Sequence, residues 1–143
     1  MDDLEAVRRL VFLYGQLLDD SRHDQWADLF TEDAVFSVWG TAYQGRAAIR
    51  EGIGGMMTTE HPGKHVNYAT VADFDGDRAW AWTDFTALAD AGPGEWGRSY
   101  MIATVARYYD ELVRRDGQWF FARRQIRMAG EPLPDGARVS PIR

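Results

Sequence analysis

The chain contains no cysteine, which excludes a disulfide framework and a thiolate nucleophile. Lysine is almost as scarce, with Lys64 alone against fifteen arginines, a compositional skew that decides nothing about chemistry. Positive charge is in deficit: 16 basic against 22 acidic residues leave a net charge of −6. Non-specific binding to nucleic acid or to an anionic membrane surface needs the opposite field, so neither is expected as a partner. No long apolar run occurs, and the N-terminus moves directly into a helical pattern without a basic leader, so a soluble cytoplasmic protein is expected. Histidine is limited to three residues. His61 and His65 are four apart, but Pro62 and Gly63 between them prevent a helix that would bring both to one face, and no metal site is expected. Gly52, Gly54 and Gly55 follow a helix rather than leading from a strand into one, so they form no phosphate cradle. Serine nucleophile motifs, internal repeats and linkers are absent as well.

What is present is apolar and periodic. Residues 1–143 are expected to form a single domain, with 45% hydrophobic residues and six tryptophans to build its core. Leu4, Val7, Val11, Tyr14 and Leu18 recur at helical spacing, widened by Leu10 and Leu17, and predict an amphipathic helix over 3–20. Asp19 lies at the edge of that face, one turn beyond Gly15. A carboxylate there beside a residue without a side chain suggests a cavity with a titratable group, while the alternative is a helix-end residue facing water.

Asp24 or a neighbour can cap a short second helix carrying Trp26, Leu29 and Phe30 and ending before Thr31-Glu32-Asp33. Strands are expected over 34–39 and 41–44, then a third helix through Ala47, Ala48, Ile49 and Ile53. Its glycine-rich end and Met56-Met57 suggest a mobile flap. Extended segments over 65–74 and 78–89 flank the turn Asp75-Gly76-Asp77, and strands over 99–113 and 118–128 flank Arg115-Asp116-Gly117. Gly92-Pro93-Gly94 reads as a loop, and the tail 129–143, with Pro132, Pro134 and Pro141, reads as irregular. Helices followed by an antiparallel meander give an α+β class in which a curved sheet packs on the helices. Tyr100, Ile102, Ala106 and Tyr108 share one strand parity, and Met101, Ala103, Val105 and Tyr109 share the other. Both sheet faces are therefore apolar, which implies a homodimer through the outer face, unless a loop or the C-terminal tail covers it.

From Leu4 to Met128 the chain resembles the SnoaL-like branch of the nuclear transport factor two-like superfamily. The features that carry this are Tyr14, the block from Leu18-Asp19-Asp20 to Leu29-Phe30-Thr31-Glu32-Asp33-Ala34, Gly45-Arg46-Ala47-Ala48-Ile49, His65 before Gly76-Asp77, and Asp116-Gly117-Gln118-Trp119. The resemblance implies a cone-shaped α+β fold whose mostly antiparallel sheet encloses a pocket. Its reactions are diverse, and fold alone does not choose among them. Asp19 and His65 match the catalytic pair of the scytalone dehydratase and dehydrochlorinase families. Tyr14 matches the oxyanion-donating tyrosine of ketosteroid isomerases, and Arg127 a pocket arginine of the dehydrochlorinase. Val38 stands where steroid isomerases carry their general base, and the second histidine of scytalone dehydratase has no counterpart.

The implied chemistry is cofactor-free proton transfer by a lyase or isomerase of dehydratase or polyketide cyclase type, acting on a hydrophobic cyclic or polyketide-like small molecule. In this chemistry His65 is the base, Asp19 its orienting carboxylate and Tyr14 the oxygen donor. Trp39, Phe85 and Trp119 would supply an apolar wall, and Arg127 would bind substrate unless it is an exposed strand-end residue. A rival reading is a non-catalytic ligand-binding or scaffold domain, since the stretch from Leu17-Leu18-Asp19 to Trp26 also resembles β subunits of ring-hydroxylating dioxygenases. An epoxide hydrolase-like enzyme is a third, weakened by the lack of a clear Asp-Arg-Asp set.

Overall fold

Helix α1 (Asp3–Asp19) begins where Asp2 accepts a hydrogen bond from the Glu5 backbone N–H at 2.8 Å. In this computed structural model, which describes residues 1–56 and 62–141, α1 buries Val7, Leu10, Val11, Tyr14, Leu17 and Leu18, the stripe that its periodicity predicts except for Leu4, which is half-buried. The helix closes in a Schellman arrangement: Ser21, at φ 56°, donates to the Leu18 carbonyl and Arg22 to that of Leu17. A short α2 (His23–Ala27) follows.

The second helix is shorter than the sequence predicts. Asp24 does not cap it; its carboxylate instead pairs with Arg50 at 2.7 Å. Leu29 lies beyond its end, and Phe30 opens strand β1 (Phe30–Val38), which also takes in Thr31-Glu32-Asp33. The reason is tertiary: Phe30 is fully buried against Phe121, Trp26 and Tyr14, and Arg46 binds its carbonyl.

Strand β2 (Thr41–Gln44) returns along β1, and α3 (Arg46–Gly52) with a 3-10 turn (Gly54–Met56) leads toward the long strands. Met57, part of the expected flap, and His61, which with His65 is expected to form no metal site, lie outside the described residues. Strands β3 (Gly63–Asp75), β4 (Arg78–Gly94), β5 (Gly97–Arg115) and β6 (Gln118–Met128) then form a meander. The sheet is curved and unclosed, in the order β2-β1-β6-β5-β4-β3, with β1 and β6 parallel and the other pairs antiparallel. Helix α1 lies in its concave side against β3 and β6.

Gly92-Pro93-Gly94 is not a loop. It extends β4 in register with Arg98 and Ser99 of β5, in an arm that outruns β3 and so tolerates a proline. Residues 129–141 of the tail are irregular, but part of this segment crosses the outer face. The Arg138 carbonyl accepts from Trp82 Nε1 at 2.8 Å, its guanidinium lies 4.3 Å from the Trp80 ring centroid, and the Asp135 carbonyl accepts from Arg123 and Gln125. Tyr68, Met101, Ile102 and Val105 remain exposed. Among the described residues no helix is long and apolar enough to cross a membrane.

Candidate functional site

The last turn of α1 and the first residues of β3 meet at Gly15. A Cβ there would stand 3.2 Å from His65 Cβ and 3.1 Å from Asn67 Nδ2, so the missing side chain permits a close contact rather than opening a cavity. One turn later, that contact delivers Asp19 to His65. The Asp19 side chain is 5% exposed and that of His65 12%. His65 Nδ1 lies 2.6 Å from Asp19 Oδ1, and the His65 backbone N–H donates to both carboxylate oxygens at 3.1 and 3.0 Å. Lys64 Nζ stands 3.2 Å from Oδ2.

The carboxylate thus has a partner for each oxygen and fixes the ring. An N–H at Nδ1 faces the carboxylate and leaves Nε2 as the basic nitrogen. Tyr14 meets the His65 ring edge-on at 6.2 Å, and Phe85 lies nearly parallel to it at 6.3 Å. His65, Tyr14 and Phe85 line a cavity of about 460 Å³ whose mostly apolar wall includes Leu18, Phe36, Val38 and Ile126, with Asp90 and Thr104 as further polar members and Trp39 at 64% exposure on its rim. An apolar cavity of this size with a few converging polar groups has the form of a small-molecule site. Burial pushes the Tyr14 hydroxyl up to about 12 despite the opposing charge of Arg124, so at neutral pH Tyr14 is a donor.

Asp19, His65, Tyr14, Trp39 and Phe85 are therefore brought together, whereas Arg127 and Trp119 are not. Arg127 stands on the opposite face of the sheet, where it donates to the Tyr109 hydroxyl at 3.0 Å and the Glu131 carbonyl at 2.7 Å beside a second concavity of about 670 Å³. The cause is a β-bulge in β6. Glu111 pairs with Arg123 and Leu112 with Phe121, so Ala122 is an extra residue and strand parity reverses after it. Trp119 packs at the N-terminal end of α1, donating to Asp3 at 3.0 Å and meeting Phe74 edge-on.

Behind the cavity wall lies a pair that the sequence reading missed. Arg124 and Asp110 are both completely buried and joined by two hydrogen bonds, Nε to Oδ1 at 2.8 Å and Nη2 to Oδ2 at 2.7 Å. Burial opposes the Arg124 charge, but Asp110 more than restores it and holds the guanidinium above its ordinary pKa. Burial pushes the Asp110 carboxyl up, and Arg124 partly offsets this. One signal was legible: Asp110 shares its parity with Tyr108 and Leu112, so an acid falls on the inward face of a strand.

The sequence matches the model of the SnoaL-like domain over residues 1–125. No curated protein matches the chain. Among solved structures, a Mycobacterium tuberculosis protein of unknown function is 27% identical with a TM-score of 0.78, covering 88% of this chain and 71% of that one. A Novosphingobium aromaticivorans protein named as a proposed scytalone dehydratase is 27% identical with a TM-score of 0.74, covering 89% and 84%. The β subunit of a proposed aromatic-ring-hydroxylating dioxygenase from the same organism has a TM-score of 0.72 over 91% of both chains, but at 18% identity it shares the fold alone. With the α-helices cradled in a curved mixed sheet and the family model covering most of its length, this chain belongs to the SnoaL-like domain family.

Proposed function

We propose that the protein is a cofactor-independent lyase or isomerase, of dehydratase or cyclase type, acting on an uncharged, hydrophobic cyclic small molecule. The observation that carries this reading is the 2.6 Å contact between Asp19 and His65 at the wall of an apolar cavity of about 460 Å³. His65 Nε2 takes a proton from the carbon next to a substrate carbonyl. Tyr14 donates to that carbonyl oxygen as charge builds on it, and Asp19 balances the imidazolium. The imidazolium then returns the proton, to a leaving hydroxyl in an elimination or to another carbon in an isomerisation. The name of the Novosphingobium relative supports a dehydratase-like reaction. The apolar outer face left uncovered by the tail supports a homodimer, which light scattering would read directly.

The test needs no knowledge of the natural substrate. Exchange of the protons next to the carbonyl of α-tetralone, followed by NMR in deuterated buffer, reports proton abstraction itself. The wild type is expected to accelerate exchange over buffer, and His65→Ala and Asp19→Asn to lose roughly 10² to 10⁴-fold while folding normally. Exchange at the wild-type rate in both variants would overturn the assignment, as would no acceleration by the wild type across a panel of bicyclic ketones.

A further inference from the structure

A buried ion pair of this kind needs a reason other than stability. Replacing such a pair by well-packed apolar residues is often neutral or stabilising, so Asp110 and Arg124 are not explained as a device for holding the core together. Their surroundings point elsewhere. The guanidinium carbon of Arg124 lies 3.7 Å from the centroid of the Tyr108 ring and 4.1 Å from those of Tyr14 and Phe121. Asp110 occupies Nε and Nη2, while Nη1 is buried without a hydrogen-bond partner, and so is the Tyr108 hydroxyl. Two buried donors without acceptors are costly, and their usual explanation is a bound water or a functional role.

Both orphaned groups back onto the candidate site. Tyr14 belongs to the aromatic cage around Arg124 and also lines the cavity, and Phe85, another lining residue, stacks on Tyr108 at 3.9 Å with the rings within 2° of parallel. We propose that Arg124, anchored by Asp110, is a positioning residue for Tyr14: with the Tyr108 hydroxyl it supplies a fixed positive backing that strengthens the Tyr14 O–H as a donor. The cavity then favours ligands that carry or develop a phenolate or enolate oxygen. This deepens the proton-transfer reading and rests on Tyr14 being its oxygen donor.

The electrostatics run the same way. Burial is the largest influence on Tyr14 and raises it, Arg124 is the largest one opposing, and Asp110 acts more weakly in the raising direction, so the pair as a whole favours negative charge at Tyr14. Hydrogen bonding from Arg124 and from Tyr108 lowers the Tyr14 pKa further, although neither Nη1 nor the Tyr108 hydroxyl has a fully formed hydrogen bond. A preorganised donor set costs no reorganisation at the moment of reaction.

The probe for the test is 4-nitrophenol, whose absorbance distinguishes the phenol from the phenolate. The wild type is expected to bind it with the ionised form enriched over the free probe at the same pH. Removing both charges with Arg124→Met and Asp110→Leu together avoids stranding one of them, and should lower the ionised-to-neutral ratio of bound probe about tenfold with affinity for the neutral form within about threefold. Tyr108→Phe keeps the ion pair and removes one hydroxyl, so it should shift the ratio the same way by about threefold, and it decides the matter if the double variant does not fold. An unchanged ratio in either folded variant, or a wild type that binds only neutral probe or none, overturns the proposal.

His65→Ala separates this proposal from the reading it rests on. Lost exchange of α-tetralone with retained enrichment of bound phenolate supports both ideas. Lost enrichment in His65→Ala assigns the bias to a protonated imidazole and overturns the role of Arg124 while leaving proton transfer by His65 standing.

Discussion

Tyr14 makes the alkaline limit of this fold calculable. Its hydroxyl is carried from 10.0 to about 12 in the folded protein, with burial as the main cause. Well below pH 10 folded and unfolded chains both keep the proton, and Tyr14 adds no pH dependence. Above the unfolded value the unfolded chain releases its proton first, so it binds fewer protons than the native state and stability falls as pH rises. The loss is complete above the folded value and amounts to about 3 kcal/mol, two units at roughly 1.4 kcal/mol each. Half of it is expected by about pH 11. Burial pushes Tyr108 in the same direction, so the total is larger. Urea unfolding followed by tryptophan fluorescence at about pH 8 and about pH 11 measures the change in the wild type and in Tyr14→Phe. The variant starts from a different stability, but only the difference between the two pH values matters. It should be smaller in Tyr14→Phe by about 1.4 kcal/mol. Equal losses in the two proteins would show that Tyr14 keeps an ordinary hydroxyl and is not enclosed as described.

Three further outcomes follow from local geometry. Gly52→Ala should destabilise by about 1 to 3 kcal/mol in urea unfolding despite alanine's better helix propensity, because the added Cβ would stand 2.2 Å from Tyr43 Cε1. Trp39→Asn should raise the melting temperature yet weaken binding of an apolar dye in the cavity. Trp39 holds φ 51° beside Gly40 at φ 74°, a left-handed pair that asparagine tolerates and tryptophan does not, and its indole stands at the cavity rim. If two copies pair through the outer face as proposed, Val105→Lys, on that face beyond the tail, should halve the mass seen by light scattering with circular dichroism unchanged; an unaltered mass, or a wild type already monomeric, would overturn that pairing.

Local pattern made much of the fold legible. The stripe of α1 has a single period, and the Asp-Gly and Asp-Gly-Gln steps mark their turns, so α1 and the strands around Gly76 and Gly117 fall where the sequence puts them. Leu29 and Phe30 were misplaced because a helical continuation and a buried strand start look alike over two apolar residues. Tertiary packing of Phe30 on Phe121 chose between them. The site was legible in a different way. No spacing rule joins Asp19 to His65, 46 residues apart; the family resemblance placed them together, and Gly15, which permits the approach, was read as a sign of empty space.

The arginines of β6 show why the remainder was out of reach. Counting by twos from Trp119 and Phe121 carries positions 123, 125 and 127 to the inside of the sheet, the side on which the family resemblance also puts Arg127. Nothing in Phe-Ala-Arg-Arg-Gln announces that Ala122 is looped out of the ladder, yet this one extra residue exchanges the faces of everything after it. Arg123 and Arg127 turn outward to the tail and Tyr109, and Arg124 turns inward to Asp110 beneath Tyr14. The same bulge that removes a cation from the cavity wall therefore installs one behind it. An arginine on the wall would bind an anion directly through its guanidinium. An arginine enclosed with its counterion behind two tyrosines can act on the cavity only through their hydroxyls. On the proposed proton-transfer reading, the wall stays apolar toward an uncharged substrate while positive charge is held ready for the oxygen anion that proton abstraction would create, and a single register shift in β6 decides between these two chemistries.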